Sequence, residues 1–385
     1  MVDDINGISK CGLDSVALNT FINTQIELKK LKFHIPDKQG RSKCHKLHVG
    51  PKNKSCPVLK VHNTVVEEVT EDTYLGDIIS SDGKNTKNIK NRISKGVGKI
   101  SEIMNLLEMV SLGEHYMEIA ILLREAIFIN GILTNSEIWY SVSESEMQEF
   151  ENLDRMLLRR ILKVPISTPQ ESFYLELGIL PINVIVKARR INYLHYLVTR
   201  NQSEMLYKFF ITQWNNPCRG DWTETVKNDL EDMEITSDFN YLKSKSREAF
   251  KKLVKEKARE YALEQLTQKQ RLHTKMSAHY YAELKPQKYL TLKNANINHI
   301  RNIFRFRTRM ANFGDNFRQK NYQIMCPLCH NHVDSQSLSF QCNYYKDKMK
   351  IHSDMKDIDT DDITLETAIT VTEMMRLREN ELNGK

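Results

Sequence analysis

The residues best spaced for chemistry lie near the end of the chain. Cys326 and Cys329 form the stretch Cys-Pro-Leu-Cys, and Cys342 follows after twelve intervening residues. A two-residue gap lets one knuckle-type turn aim both thiolates at a single zinc ion. A compact hairpin then brings the third cysteine within reach. Tetrahedral closure needs a fourth ligand, and His330, His332 and His352 are the nearby candidates. His332 is the best placed, because His330 adjoins Cys329 and is expected to point elsewhere. The competing reading is a pair of buried free thiols with histidines on the surface. At the other end of the chain, Asp3 and Asp4 are adjacent carboxylates. Such a pair can hold catalytic Mg2+ when a scaffold and further ligands position it.

Two basic features stand between these ends. Arg301, Arg305 and Arg309 recur at i, i+4 and i+8, with Arg307 beside them. Ile303, Phe306, Met310 and Phe313 recur at helical spacing on another face. One helix is thus expected to turn an apolar stripe to a core and a guanidinium stripe outward. Planar guanidinium forks suit phosphates, whereas salt bridges to the protein's own acids are the alternative. The second feature is the segment 243–275, with eleven Lys/Arg against four Glu, including Lys251, Lys252 and Lys255. It carries the whole net charge of +7, leaving the rest of the chain near neutral. Concentrated positive charge points to a polyanion partner, most economically nucleic acid; a solvated helix face is the bland alternative.

The elements that must position these groups are mostly helical. At 385 residues the chain has room for two or three cores, and its 14 glycines and 9 prolines favour long uninterrupted helices. Residues 14–29 have the spacing of an amphipathic helix, followed by alternating strand patterns to about residue 81. From Lys87 the period becomes helical and stays so. Ser143 or Ser145 ahead of acids marks a capped start for a helix that ends before Pro165. A Gly-Ile-Leu-Pro break separates a short helix from a longer one, a long basic helix is expected over 239–276, and a closing helix near 364–382. The fold class is therefore mainly α, with a small N-terminal α/β part, a helical bundle and a small Cys-rich knuckle. No run of eighteen apolar residues and no leader pattern is present, and seven thinly spread cysteines suit a reducing compartment. An intracellular location, nucleus or cytoplasm, is expected, with no membrane partner.

The order of these features resembles that of non-LTR (LINE-type) retrotransposon reverse transcriptases. The stretches carrying the likeness are "MVDDINGISKCG", "SKCHKLHVG", "TYLGDIISSDGKNTKNI", "LLRRILKVP", "ESFYLELGILPI", "RFRTRM" and "CPLC…DSQ…C". The resemblance covers nearly the whole chain and corresponds to the end of the palm, the thumb and the cysteine knuckle. It implies that Asp3 and Asp4 match the palm box that binds Mg2+. It also implies that the strand of Lys43 and Lys46 lies near an incoming nucleotide, and that Tyr74 and Gly76 belong to a primer-grip hairpin. The helices after it would hold template–primer duplex by its backbone, so the partners implied are RNA and DNA. The implied division is a palm remnant over 1–82, a thumb-like domain over 83–236, a basic connector over 237–315, a degenerate knuckle over 316–346, and an acidic linker with the closing helix over 347–385.

Two departures qualify the resemblance. The family's knuckle carries a histidine four residues before its last cysteine, where this chain has Leu338. Either His332 substitutes or the zinc site has decayed. Polymerase chemistry also needs two metals clamped by carboxylates from separate strands. The family's upstream palm strands and fingers have no counterpart in this sequence. The expectation is therefore a truncated RNA-directed DNA polymerase that retains nucleic-acid binding and is inactive alone. It would take a small-molecule substrate only if the missing palm and fingers were supplied. The alternative is a helical protein-interaction scaffold with a structural zinc site.

Overall fold

The computed structural model describes residues 22–24, 26–27, 30, 45–49, 58–61, 64–74, 76–109, 115–140, 142–272, 281–316, 325–349, 358 and 363–383. Asp3, Asp4, Lys43 and His352 lie outside them. The fold is mainly helical, and the chain divides into two units: residues 1–92 with 140–142, and residues 93–139 with 143–385.

The first unit is built from short strand pairs. β1 (His45–Leu47) runs parallel to β4 (Glu67–Val69), while β2 (Lys60–Val61) and β3 (Thr64–Val65) form an antiparallel pair. β5 (Glu71–Tyr74) and β6 (Asp77–Ser80) make a hairpin in which Tyr74 pairs with Asp77 across two linking residues. Gly76 sits in that link at φ +85°, a conformation that costs glycine nothing because it has no Cβ. The Asp77 carboxylate accepts from Arg92 (2.7 Å) and from the Asn88 amide (3.0 Å), which ties the hairpin to the helix that follows. Where residues 22 and 26 are helical, Ile22 and Ile26 of the expected amphipathic face are exposed.

The helix α1 (Thr86–Met109) carries the chain into the second unit. The next element is not one uninterrupted α-helix. α2 (Tyr116–Leu123) passes into a π turn, Arg124–Ile129, then a last α turn, Asn130–Ile132, and stops before Asn135 at φ +57°. The wider turn begins at Arg124, which is fully buried and gives a bidentate pair to Asp154 (2.7 and 2.6 Å). α3 (Glu144–Leu162) starts with the anticipated capping box on Ser143, whose hydroxyl takes the Glu146 N–H while the Glu146 carboxylate returns to the Ser143 N–H. It ends at Lys163, in the left-handed region at φ +52°.

α4 (Gln170–Leu177) and α5 (Ile182–Val198) flank the Gly-Ile-Leu-Pro break. α6 (Met205–Asn215), which the sequence reading leaves unassigned, and α7 (Trp222–Asp232) follow. The expected basic helix is two: α8 (Phe239–Ser244) and α9 (Arg247–Arg271). Lys245 is extended between them, and the Ser246 hydroxyl restarts the helix by accepting from the Ala249 N–H at 3.2 Å. Phe250, Val254, Ala258, Ala262 and Leu266 form a buried row at every fourth position of α9. Two alanines in that row let α9 lie close against α5 and α4. α10 (Ile297–Arg307), α11 (Asn343–Lys348) and α12 (Leu365–Asn383) complete the unit, with α10 packed on α12. No helix among the described residues is long and apolar enough to cross a membrane.

Candidate metal centre

The knuckle begins as a short hairpin. Met325 bridges Val333, the Cys326 N–H donates to the His332 carbonyl (2.8 Å), and the His330 N–H donates to the Cys326 carbonyl (3.0 Å). His330 adopts φ +56°, the left-handed residue that lets the chain reverse after Cys329. Cys342 arrives from a short 3-10 turn, Ser339–Gln341.

These segments bring four ligand atoms together. The Sγ atoms of Cys326, Cys329 and Cys342 and a ring nitrogen of His332 all lie within 4.8 Å of one another. Zinc–sulfur bonds of about 2.3 Å in a tetrahedron place ligands roughly 3.8 Å apart, so a modest contraction closes the shell. His332 therefore joins the three cysteines, whereas Leu338 is half-buried at the start of the 3-10 turn.

The surroundings match what a thiolate–imidazole site requires. His332 Nδ1 donates to the Val333 carbonyl (3.0 Å), which leaves Nε2 with its lone pair. That Nε2 is buried and has no partner of its own, the condition of a ligand atom facing a metal position. Cys326 is 2% exposed and Cys342 fully buried. Burial pushes the Cys342 thiol up to about 12, although the backbone N–H of Tyr345 bonds its sulfur. At Cys329 burial also pushes upward. There the Asn331 N–H, the other two thiols and the His332 N–H outweigh it and hold the group below its usual value. Backbone N–H groups on sulfur favour the thiolate, the form a metal takes. With four protein ligands and no open position, the cluster can hold zinc structurally and offers no place for a reacting water.

The knuckle is tied to the helices by buried polar groups that spacing alone does not flag. Asp334 accepts from Arg378 of α12 (2.6 Å) and from the Gly314 N–H (2.7 Å). Gln336, fully buried, donates to the Phe306 carbonyl (2.7 Å) and accepts from Asn316 (2.9 Å). The Asp-Ser-Gln stretch between the cysteines was the available signal.

The guanidinium stripe is corrected. Arg301 is 5% exposed, and its Nε and Nη2 both donate to the Ile161 carbonyl (2.9 and 2.7 Å). Arg305 donates to the Lys163 carbonyl. Both thus satisfy carbonyls left free at the C-terminal end of α3, which carries the negative end of its helix dipole. Arg307 is buried against Glu176 (2.9 Å). The helix ends at Arg307, so Arg309, at φ +56°, lies beyond it and the i+8 relation is lost.

The lysines behave differently. Lys251, Lys252 and Lys255 are exposed on α9, where Lys252 approaches Glu256 at 3.9 Å, while Lys251 and Lys255 have no ion-pair partner among the described residues. In the first unit, Lys46 pairs with Glu68 (2.7 Å) across β1 and β4. Tyr74 and Gly76 occupy the β5–β6 turn. No protein-family model, curated protein or solved structure matches the chain.

Proposed function

We propose that this chain is the nucleic-acid-binding portion of a non-LTR retrotransposon reverse transcriptase, comprising the end of the palm, the thumb and a zinc-binding knuckle. The observation that carries the reading is the four-ligand cluster, which forms where the order of motifs expects the family's knuckle and recruits His332 in place of the histidine missing at Leu338. The β5–β6 hairpin, with Tyr74 and Gly76 at its turn, supports a primer-grip assignment. The exposed lysines of α9 suit the phosphate backbone of a template–primer duplex of RNA and DNA. Asp3 and Asp4 are the family's Mg2+ positions. The activity proposed for this chain is the binding of template–primer, for which the exposed lysines of α9 supply the contacts.

The competing scaffold reading is favoured by one observation, the internal use of Arg301, Arg305 and Arg307. A salt series with a labelled primer–template separates the two. Binding that weakens linearly in log–log form with salt supports the proposal, and no binding at low salt favours the scaffold.

A further inference from the structure

A pocket of about 770 Å3 opens in the second unit between residues 130–137, α5 and the start of α9. It lies far in sequence from the cysteines and is not used by the metal centre. Its walls combine three chemistries. Arg247 and Lys251 supply positive charge and have no ion pair or hydrogen bond among the described residues. Tyr193 and Tyr196 supply two nearly parallel rings, with centroids 5.7 Å apart and planes inclined by 20°. Asn192 supplies an orphaned acceptor. Its amide nitrogen is committed to the Ala188 carbonyl (2.8 Å), while its Oδ1 is buried without a partner.

Each wall selects part of a ligand. A buried amide oxygen without a donor is unfavourable until an N–H reaches it, so the occupant carries such a group. The two rings stack on one another, and the exposed part of Tyr196 offers an aromatic surface on which a flat occupant can extend the stack. Unpaired cations at the rim favour an anion attached to it. A fully apolar ligand would leave Asn192 unsatisfied and make no use of the two solvated cations, and a bare inorganic anion would leave the rings and Asn192 unused. A nucleotide meets all three demands, and the volume falls within the usual range for small-ligand sites.

We propose that this pocket takes an unpaired nucleotide, with its base against Tyr193 and Tyr196, a base N–H on Asn192 Oδ1, and its phosphate on Arg247 and Lys251. The inference rests on the nucleic-acid reading above and adds to it a place for a base outside the duplex. Arg200 already lies 4.4 Å from the centre of the Tyr196 ring. It covers part of that ring, and the side chain stays 37% exposed for a further stacking partner. The nucleotide belongs either to a strand end or to the free pool, and the arms of one experiment distinguish these.

The experiment compares a short blunt duplex, the same duplex with a single-stranded overhang, and free adenosine monophosphate. Each is titrated against the full chain by fluorescence anisotropy or competition. The overhang is expected to tighten binding by about five-fold or more, the gain of stacking one or more bases. Tyr196→Ala should remove that gain and leave the blunt-duplex affinity unchanged. Because Tyr196 is partly exposed, an unaltered melting temperature controls for folding, and Arg247→Ala provides a second variant with the same expectation for the overhang gain. Competition by adenosine monophosphate alone, with no overhang gain, assigns the pocket to free nucleotide. If both duplexes bind equally and adenosine monophosphate does not compete, or if the gain survives Tyr196→Ala, the pocket proposal is overturned while the binding reading stands. If neither duplex binds at low salt, the binding reading fails. The pocket is then judged by direct titration with adenosine monophosphate, where absence of binding overturns it as well.

Discussion

His332 and His330 are two residues apart and chemically identical, yet their backbones assign them different work. His330 takes the left-handed turn and is exposed, whereas His332 gives Nδ1 to Val333 and turns a partnerless Nε2 inward. The four ligands were readable because cysteine spacing constrains a knuckle within a few residues. The arginines were not. Periodicity reports which face a side chain occupies but not what lies across from it, and the acceptor of Arg301 is the carbonyl of Ile161, distant in sequence. The metal assignment predicts one zinc per chain, with a cobalt-substituted form showing the absorption of a three-sulfur, one-nitrogen tetrahedron. His332→Ala and Cys342→Ser should each weaken zinc binding by at least about 100-fold, beyond the usual cost of losing an outer-shell partner. His330→Ala should leave affinity unchanged. Equal losses from the two histidine variants, read by competition with a chromophoric chelator, would contradict the assignment.

At the scale of elements, local signals located the helix starts better than their continuity. Ser143 with Glu146 marks the start of α3, and the same capping chemistry at Ser246 breaks the basic stretch that composition alone runs through. The π turn at Arg124 was invisible, because its buried partner, Asp154, lies on another helix. The Gly-Ile-Leu-Pro break was legible as a break, but its reason is tertiary. Gly178 stands at φ +63°, and a Cβ there would lie 2.0 Å from the Lys285 carbonyl carbon. Backbone cannot move aside as a flexible side chain can. Gly178→Ala should therefore cost at least about 2 kcal/mol, the sum of an unfavourable backbone conformation and overpacking. Denaturant unfolding with an unchanged m-value measures it, and a loss below a few tenths of a kcal/mol would show that the segment at Lys285 is free to shift.

For the whole molecule the question is where its charge acts. The net +7 resides in one segment, and the helices divide the basic residues into two populations. Arg301 and Arg305 are spent on carbonyls at the end of α3, whereas Lys251 and Lys255 stand exposed and unpaired among the described residues. Composition could not make that division, since both populations read as basic helix. It leads to opposite outcomes for substitutions that remove the same charge. Arg301→Met deletes the two donors on the Ile161 carbonyl, so it should lower stability by about 1–3 kcal/mol and leave the salt slope of duplex binding untouched. The double variant Lys251→Ala, Lys255→Ala should leave the melting temperature nearly unchanged, because exposed unpaired lysines contribute little to folding. On the duplex with an overhang, which engages both lysines, it should instead reduce the slope of log affinity against log salt by about 2, near one released counterion per lost phosphate contact. Measuring both quantities on both variants tests the division directly. A changed slope for Arg301→Met, or an unchanged slope for the double lysine variant, would move the nucleic-acid surface away from α9.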